Sequence, residues 1–269
     1  MVDRIEYKTR EQMRVMARAG LVVESALAAA RGAAVAGATT ADVDAAAASA
    51  IAAGGATSNF LGYHGFPASS CVSVNDEVVH GIPGQRVLRE GDLVSIDCGA
   101  VVDGWHGDSA ISLSIGAPAQ PRDVDLIEAT RRALWAGIAA LASARRLDEV
   151  AAAIEDVAIA ADLHPIDGYV GHGIGTAMHQ APDVLNYRTR GRLAKVRPGM
   201  CVAIEPMFVV GTSDSAVLED DWTVVSADGS RAAHWEHSIA VHDDGIWVLT
   251  ASDGGASELA EHGITPVAP

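Results

Sequence analysis

Arg89-Glu90-Gly91-Asp92-Leu93-Val94-Ser95-Ile96-Asp97 and Arg197-Pro198-Gly199-Met200-Cys201-Val202-Ala203-Ile204-Glu205 read as one device written twice. Arginine, glycine, valine and isoleucine coincide in register, and each copy ends in a carboxylate. Each copy is a glycine turn followed by a short apolar strand. Four identities in nine positions are few, and chance is the competing account. If the copies are real, the chain is two related halves meeting at a shared site. Asp97 and Glu205 would then face each other near a pseudo-twofold axis.

The surroundings of each copy fit that frame. Thr9, with Gln12 three residues on, forms a capping box, and Met13, Met16, Leu21, Val22 and Leu27 follow at near-helical spacing. A second helix is expected from Thr40 to Ala53, stopped by Gly54 and Gly55. Residues 121–141 and 147–162 predict two more helices. Residues 93–102, 107–115, 200–210, 222–226 and 236–249 predict strands. Asp103-Gly104 between two of them predicts an antiparallel hairpin rather than a parallel crossover. Helix pairs alternating with antiparallel strands give an α+β chain. No low-complexity linker divides it, so residues 1–269 are expected to form a single catalytic domain.

Composition narrows the function classes. The chain has 269 residues, 49% hydrophobic and 20% charged, enough for a substantial core. Its formal net charge of −16 repels phosphate backbones, so direct nucleic-acid binding is not expected. Residues 1–10 carry charges of both signs and no apolar run, unlike a signal peptide. No run is long and apolar enough to suggest a membrane span. Cys71, Cys98 and Cys201 stand far apart, with no Cys-x-x-Cys. A reduced, cytoplasmic chain is the expectation.

The chemistry is expected among carboxylates. Asp97 ends the apolar run Leu93-Val94-Ser95-Ile96, where a carboxylate is expensive unless paired or bound to metal. The chain turns at Asp103-Gly104 and returns through Gly107-Asp108-Ser109, so both acids can aim at one point. Either alone is as well explained as a turn or edge residue. Glu205 follows Val202-Ala203-Ile204, and Glu236 lies in His234-Trp235-Glu236-His237. Four acids in apolar strands repel one another unless protons or cations relieve them. Two divalent ions would do so, with two acids bridging. His172, bracketed by Gly171 and Gly173, is expected to have open space around its ring, and His179 follows seven residues on. Gly171-His172-Gly173-Ile174-Gly175 lacks the dinucleotide-binding spacing, and no His-Glu-x-x-His occurs. His80 ends the run Val78-Val79-His80-Gly81, either as a turn residue or as a proton donor.

Taken together, several stretches resemble the type I methionine aminopeptidases. They are Phe60-Leu61-Gly62-Tyr63-His64-Gly65-Phe66-Pro67, Val78-Val79-His80-Gly81-Ile82-Pro83, Ser95-Ile96-Asp97, Asp103-Gly104-Trp105-His106-Gly107-Asp108, Gly171-His172-Gly173-Ile174-Gly175, Ala203-Ile204-Glu205-Pro206-Met207 and Trp235-Glu236-His237. They run in family order from about residue 10 to residue 250. The resemblance implies a pita-bread fold: pseudo-twofold halves with an antiparallel sheet backed by two helix pairs.

It also implies removal of the initiator methionine from nascent N-termini when the second residue is small. Two divalent ions (cobalt, manganese, iron or zinc) would be held by Asp97, Asp108, His172, Glu205 and Glu236, with Asp108 and Glu236 bridging. A monovalent cation is expected near Asn75. Glu205 would take the proton from the nucleophilic water. His179 would stabilise the oxyanion, and His80 would contact the amide nitrogen of the second residue. The methionine slot would comprise Phe60, Tyr63, Phe66, Cys71, Met178 and Trp222, with His64 nearby. Met178 stands where several members of the family carry an aromatic. A monomer with transient ribosome contact is expected. Two other readings compete. A prolidase or proline aminopeptidase shares fold and ligands, but usually adds a sizeable N-terminal domain. A metal-free binding protein on this scaffold would have lost ligands.

Overall fold

Thr9 caps the first helix as its sequence predicts. In the computed structural model, which describes residues 4–269, its hydroxyl accepts from Gln12 N, and the Gln12 side chain accepts from Thr9 N. Met1–Asp3, part of the stretch read above for a signal peptide, lie outside the described residues. Helix α1 runs Arg10–Ala33 and α2 runs Thr40–Ala53, capped in the same way by Thr39 and Asp42. Helices α3 (Pro121–Leu141) and α4 (Leu147–Ala160) form the second pair. Leu21 was expected to face inward on α1, but it is exposed. Met13, Met16 and Leu27 are buried as expected, and Val23, Ala26 and Ala30 complete the stripe.

Strands follow in chain order: β1 (Thr57–Ser58), β2 (Ser70–Val74), β3 (Glu77–Val79), β4 (Leu93–Val102), β5 (Trp105–Ser114), β6 (His164–Pro165), β7 (Gly171–Gly173) and β8 (Gln180–Val184). Then come β9 (Cys201–Ile204), β10 (Met207–Val209), β11 (Ser215–Val217), β12 (Val224–Ser226), β13 (Ala232–His234), β14 (His237–His242) and β15 (Gly245–Val248). All named strand pairs are antiparallel, including the β4–β5 hairpin at Asp103-Gly104. Residues 200–210, read as one strand, are two: the chain leaves one sheet at Glu205-Pro206 and enters another as β10. Residues 236–249 likewise split into the β14–β15 hairpin.

The written-twice device is the same object in both halves. Asp92 N bonds Arg89 O at 3.0 Å, and Met200 N bonds Arg197 O at 3.2 Å. Gly91 and Gly199 take φ of +85° and +97°, which suits the third position of such a turn to glycine. Each turn feeds a strand, β4 or β9. Each half also has its own core. Val23, Leu27, Val43 and Ile51 of α1 and α2 pack on Val72, Val94 and Ile96. Leu134, Ile138, Val150 and Ile154 of α3 and α4 pack on Val202, Ile204 and Ile239. The two halves are the pita-bread arrangement, with one helix pair behind each.

The halves are joined where β3 pairs with β12 and, beside the cavity, along a seam between β5 and the segment entering β14. Ala110 and Glu236 exchange backbone hydrogen bonds of 3.3 and 3.0 Å. Beyond that pair, serine hydroxyls take over. Ser112 Oγ donates to His234 O (2.8 Å) and accepts from His234 N (2.9 Å). Ser238 Oγ donates to Asp108 O (2.8 Å) and accepts from Asp108 N (3.1 Å). A hydroxyl can do both at once. Ser112 pairs with Ser95 of the first copy, and Ser238 with Ala203 of the second. The two serines are therefore pseudo-equivalent, and so are Asp108 and His234, four residues before each.

Candidate metal centre

Where the two halves meet, a cavity of about 550 Å³, counting its open mouth, is lined by Asp97, Asp108, His172, Glu205 and Glu236. Phe60, Tyr63, Phe66, Cys71, His80, Met178, His179 and Trp222 complete the expected set, and His234 joins them unexpectedly. Only His64 stands apart: it stacks on Tyr63 at 4.4 Å between ring centres and does not line the cavity.

Each acid comes from a different backbone setting. Asp97 lies mid-strand in β4 opposite Cys71, and Asp108 lies in β5 opposite Gly99. Glu205 directly follows β9, its carbonyl held by Asn186 Nδ2 at 3.0 Å. Glu236 sits on the seam. Burial pushes the carboxyls of Asp97, Asp108, Glu205 and Glu236 upward, and the neighbouring acids push Asp97, Asp108 and Glu236 further. Asp97 Oδ1, Asp108 Oδ1, Glu236 Oε1 and His234 Nε2 are buried with no hydrogen-bond partner. Buried acceptors left bare cost several kcal/mol in sum unless something positive satisfies them.

The imidazoles supply nitrogen lone pairs. Nδ1 of His172 lies 3.0 Å from Gly173 O, so a proton there leaves Nε2 bare towards Glu205 Oε1, 3.3 Å away. Burial holds His172 neutral, its pKa lowered to about 3. The flanking glycines do not open space around this ring, which is buried. They let strands approach: a Cβ at Gly171 would lie 2.4 Å from Ala203 O, and one at Gly173 2.2 Å from Ala181 O. Two tight groups of candidate ligand atoms result, Asp108–His172–Glu236 and Glu205–His234–Glu236. Buried oxygens with neutral imidazoles at this spacing suit divalent cations.

One wall is apolar. Phe60, Phe66, Cys71 and Met178 are buried with Ala68 in a cluster of their own, away from both helix-backed cores. Trp222 meets Phe66 edge-to-face at 5.0 Å. Tyr63 also packs against this cluster, and its Oη lies 2.8 Å from His179 Nδ1; the His172 and His179 rings are 4.3 Å apart. His80 adopts φ +60°, and its ring lies 6.3 Å from Trp222 and 6.0 Å from Tyr169. Tyr169 belongs to the short 163–170 connection. Burial, then His234 and His179, lowers the His80 pKa to about 4.

Two supports were not read from the sequence. In the sequence His234 reads as a flank of Glu236, although extending the duplication along the return strand makes it the counterpart of Asp108. The other is Glu6. Its carboxylate accepts from Thr176 N (3.1 Å), Thr176 Oγ1 (2.7 Å) and Gln180 Nε2 (3.0 Å), tying the segment before α1 to the Met178–His179 loop. Lys8, buried beneath, donates to Gln180 Oε1 and Glu6 O.

Residues 14–243 match the model of metallopeptidase family M24. Methionine aminopeptidase 1 of Mycobacterium tuberculosis (strain CDC 1551 / Oshkosh) is 51% identical over 253 residues, covering 91% of this chain and 95% of that protein. Methionine aminopeptidase 1 of Bacillus subtilis (strain 168) is 38% identical, covering 90% and 98%. The crystal structure of methionine aminopeptidase from Thermotoga maritima superposes with a TM-score of 0.89 at 38% identity, covering 93% of this chain and all of that one. A prolidase from Pyrococcus furiosus shares the fold, with a TM-score of 0.73 at 19% identity, and this chain spans 65% of its length.

Proposed function

This chain belongs to metallopeptidase family M24 and, within it, to the type I methionine aminopeptidases, and we propose that the cavity between its halves is the site of the reaction. It is a metal-dependent aminopeptidase that removes the initiator methionine from proteins. The prolidase reading is disfavoured by the identities, and the metal-free reading by the buried acid–imidazole cluster. The cluster of buried acceptors without partners is the observation that carries the placement.

In this reading Asp97, Asp108, His172, Glu205 and Glu236 hold two divalent cations, drawn from cobalt, manganese, iron or zinc. Bound there, the cations would supply an acidified water and a positive charge beside the scissile carbonyl. Glu205 accepts the proton of that water at a carboxylate oxygen, its main chain fixed by Asn186. Tyr63 Oη lies 2.8 Å from His179 Nδ1; with Tyr63 as the donor, the His179 proton sits on Nε2, which would then donate to the carbonyl oxygen as charge develops. His80, neutral by burial, donates to or accepts from the amide of the second residue. Phe60, Tyr63, Phe66, Cys71, Met178 and Trp222 bury the methionine side chain, and His64 shapes the rim. Met178 makes that slot adaptable.

A monovalent cation beside Asn75 is a separate reading. The Asn75 amide donates to Asp92 Oδ1, and its Oδ1 accepts from Leu93 N, so the side chain is already engaged. Residues 1–269 act as one catalytic unit, a cytoplasmic monomer that meets nascent chains in passing. Among the described residues no helix is long and apolar enough to cross a membrane. The test is a peptide panel at fixed metal loading. Met-Ala-Ser should be cleaved and Met-Lys-Ser resist, with norleucine replacing methionine at modest loss. Equal cleavage of the two methionine peptides, or faster release of leucine than of methionine, would contradict the assignment.

A further inference from the structure

His234 is a buried imidazole that the five-ligand reading leaves without work. It is 2% exposed, lines the cavity, and its Nε2 has no hydrogen-bond partner. That nitrogen lies 3.6 Å from Glu205 Oε2, while His172 Nε2 lies 3.3 Å from Glu205 Oε1. Glu205 thus presents one oxygen to each of two bare imidazole nitrogens. Two ligand atoms each about 2.1 Å from one cation, at the usual angles, stand about 3.0–3.4 Å apart. The spacing at His172 falls in that range, and the spacing at His234 is close to it.

Its backbone is placed as strictly as that of a ligand. Ser112 Oγ clasps both the N–H and the carbonyl of His234, as Ser238 Oγ clasps both groups of Asp108. By the strand pairing, His234 is the pseudo-twofold counterpart of Asp108, one of the five residues that would hold the cations. Each tight ligand group, Asp108–His172–Glu236 and Glu205–His234–Glu236, contains one imidazole.

We propose that His234 is a sixth protein ligand of this centre, so that each cation carries an imidazole of its own. The proposal rests on the two-cation reading and deepens it. A second imidazole beside that of His172 makes the donor set richer in nitrogen and favours softer divalent ions such as cobalt, iron and zinc over magnesium.

The test is X-ray absorption on the intact enzyme loaded with two equivalents of Co(II), together with calorimetric titration of Co(II) into the metal-stripped protein. The expected result is about one imidazole per cobalt in the wild type, against about half of one if only His172 ligates. His234→Gln, which keeps bulk and polarity, should halve the imidazole count and weaken one of the two binding events about 100-fold. Circular dichroism checks its fold, and if it fails to fold, the wild-type count alone decides. Half an imidazole per cobalt in the wild type, or unchanged cobalt affinity in folded His234→Gln, overturns the proposal. His172→Ala is the control for the underlying reading. If it too binds two cobalt ions at wild-type affinity, the five-ligand reading fails and the sixth ligand falls with it.

Discussion

His80 turns out of β3 at φ +60°, a conformation few side chains adopt, and it contributes no atom to either tight ligand group. Strain of this kind persists where the surroundings hold it, and here it sets a neutral imidazole on the wall of the cavity, where the proposed reaction would place the scissile bond. His80→Ala should therefore keep both cations while kcat falls about 10²–10³-fold, the worth of one hydrogen bond made mainly in the transition state. Parallel metal analysis and steady-state kinetics check this, and a drop in metal content would mean the role was misassigned. The acids of this site are legible as a set, because four carboxylates in apolar strands are anomalous together, whereas Asp97 or Asp108 alone passes for a turn or edge residue. His234 is not legible, because a histidine beside Trp235 and Glu236 looks like ordinary strand filling. Its place follows only from the pairing of β5 against the segment entering β14.

At the scale of elements, the helix caps and the Asp103-Gly104 hairpin were readable because local hydrogen bonding sets them. Residues 200–210 were read as one strand because the apolar run is continuous. Pro206 offers no N–H, and the chain changes sheets there. The segment before α1 has no periodicity at all, yet Glu6 ties it to the loop of Met178 and His179. Burial pushes Glu6 up, but hydrogen bonds from Thr176 and Gln180 and the charge of Lys8 outweigh it and lower the pKa to about 2. A depressed folded pKa means the stabilisation is complete above the unfolded value of 4.5 and is lost as pH falls towards 2. Glu6→Gln should lower stability at pH 7 by about 1 kcal/mol, or about 2–4 °C in Tm, and should raise KM more than it lowers kcat. The difference in Tm between wild type and variant should shrink between pH 5 and pH 3. A gap that widens on acidification would contradict the latch.

At the scale of the molecule, two halves with separate cores meet at a seam that is also the centre, so cations should act as a structural staple. A ligand at 100 times its Kd adds about 2.7 kcal/mol. Chelation should then lower Tm by about 5–10 °C, with recovery on adding Co(II) or Mn(II), as followed by thermal melts. The net charge of −16 makes a lasting hold on ribosomal RNA unfavourable, so contact with nascent chains should be brief. The duplicated turn made the two-half architecture legible, whereas the seam serines were silent, since hydroxyls standing in for a backbone ladder leave no pattern in a sequence. What joins fold, centre and activity is the set of acids facing one another across that seam, and Asp108 tests it most directly. Methionine release from Met-Ala-Ser should be followed while metal-stripped enzyme is titrated with Co(II), for wild type and for Asp108→Asn. Activity should rise from near zero as cations fill the wild-type centre and stay at background in the variant, whose amide offers one neutral oxygen where two charged ones are needed. Full activity in folded, cobalt-loaded Asp108→Asn, or undiminished activity in the stripped wild type, would contradict the account.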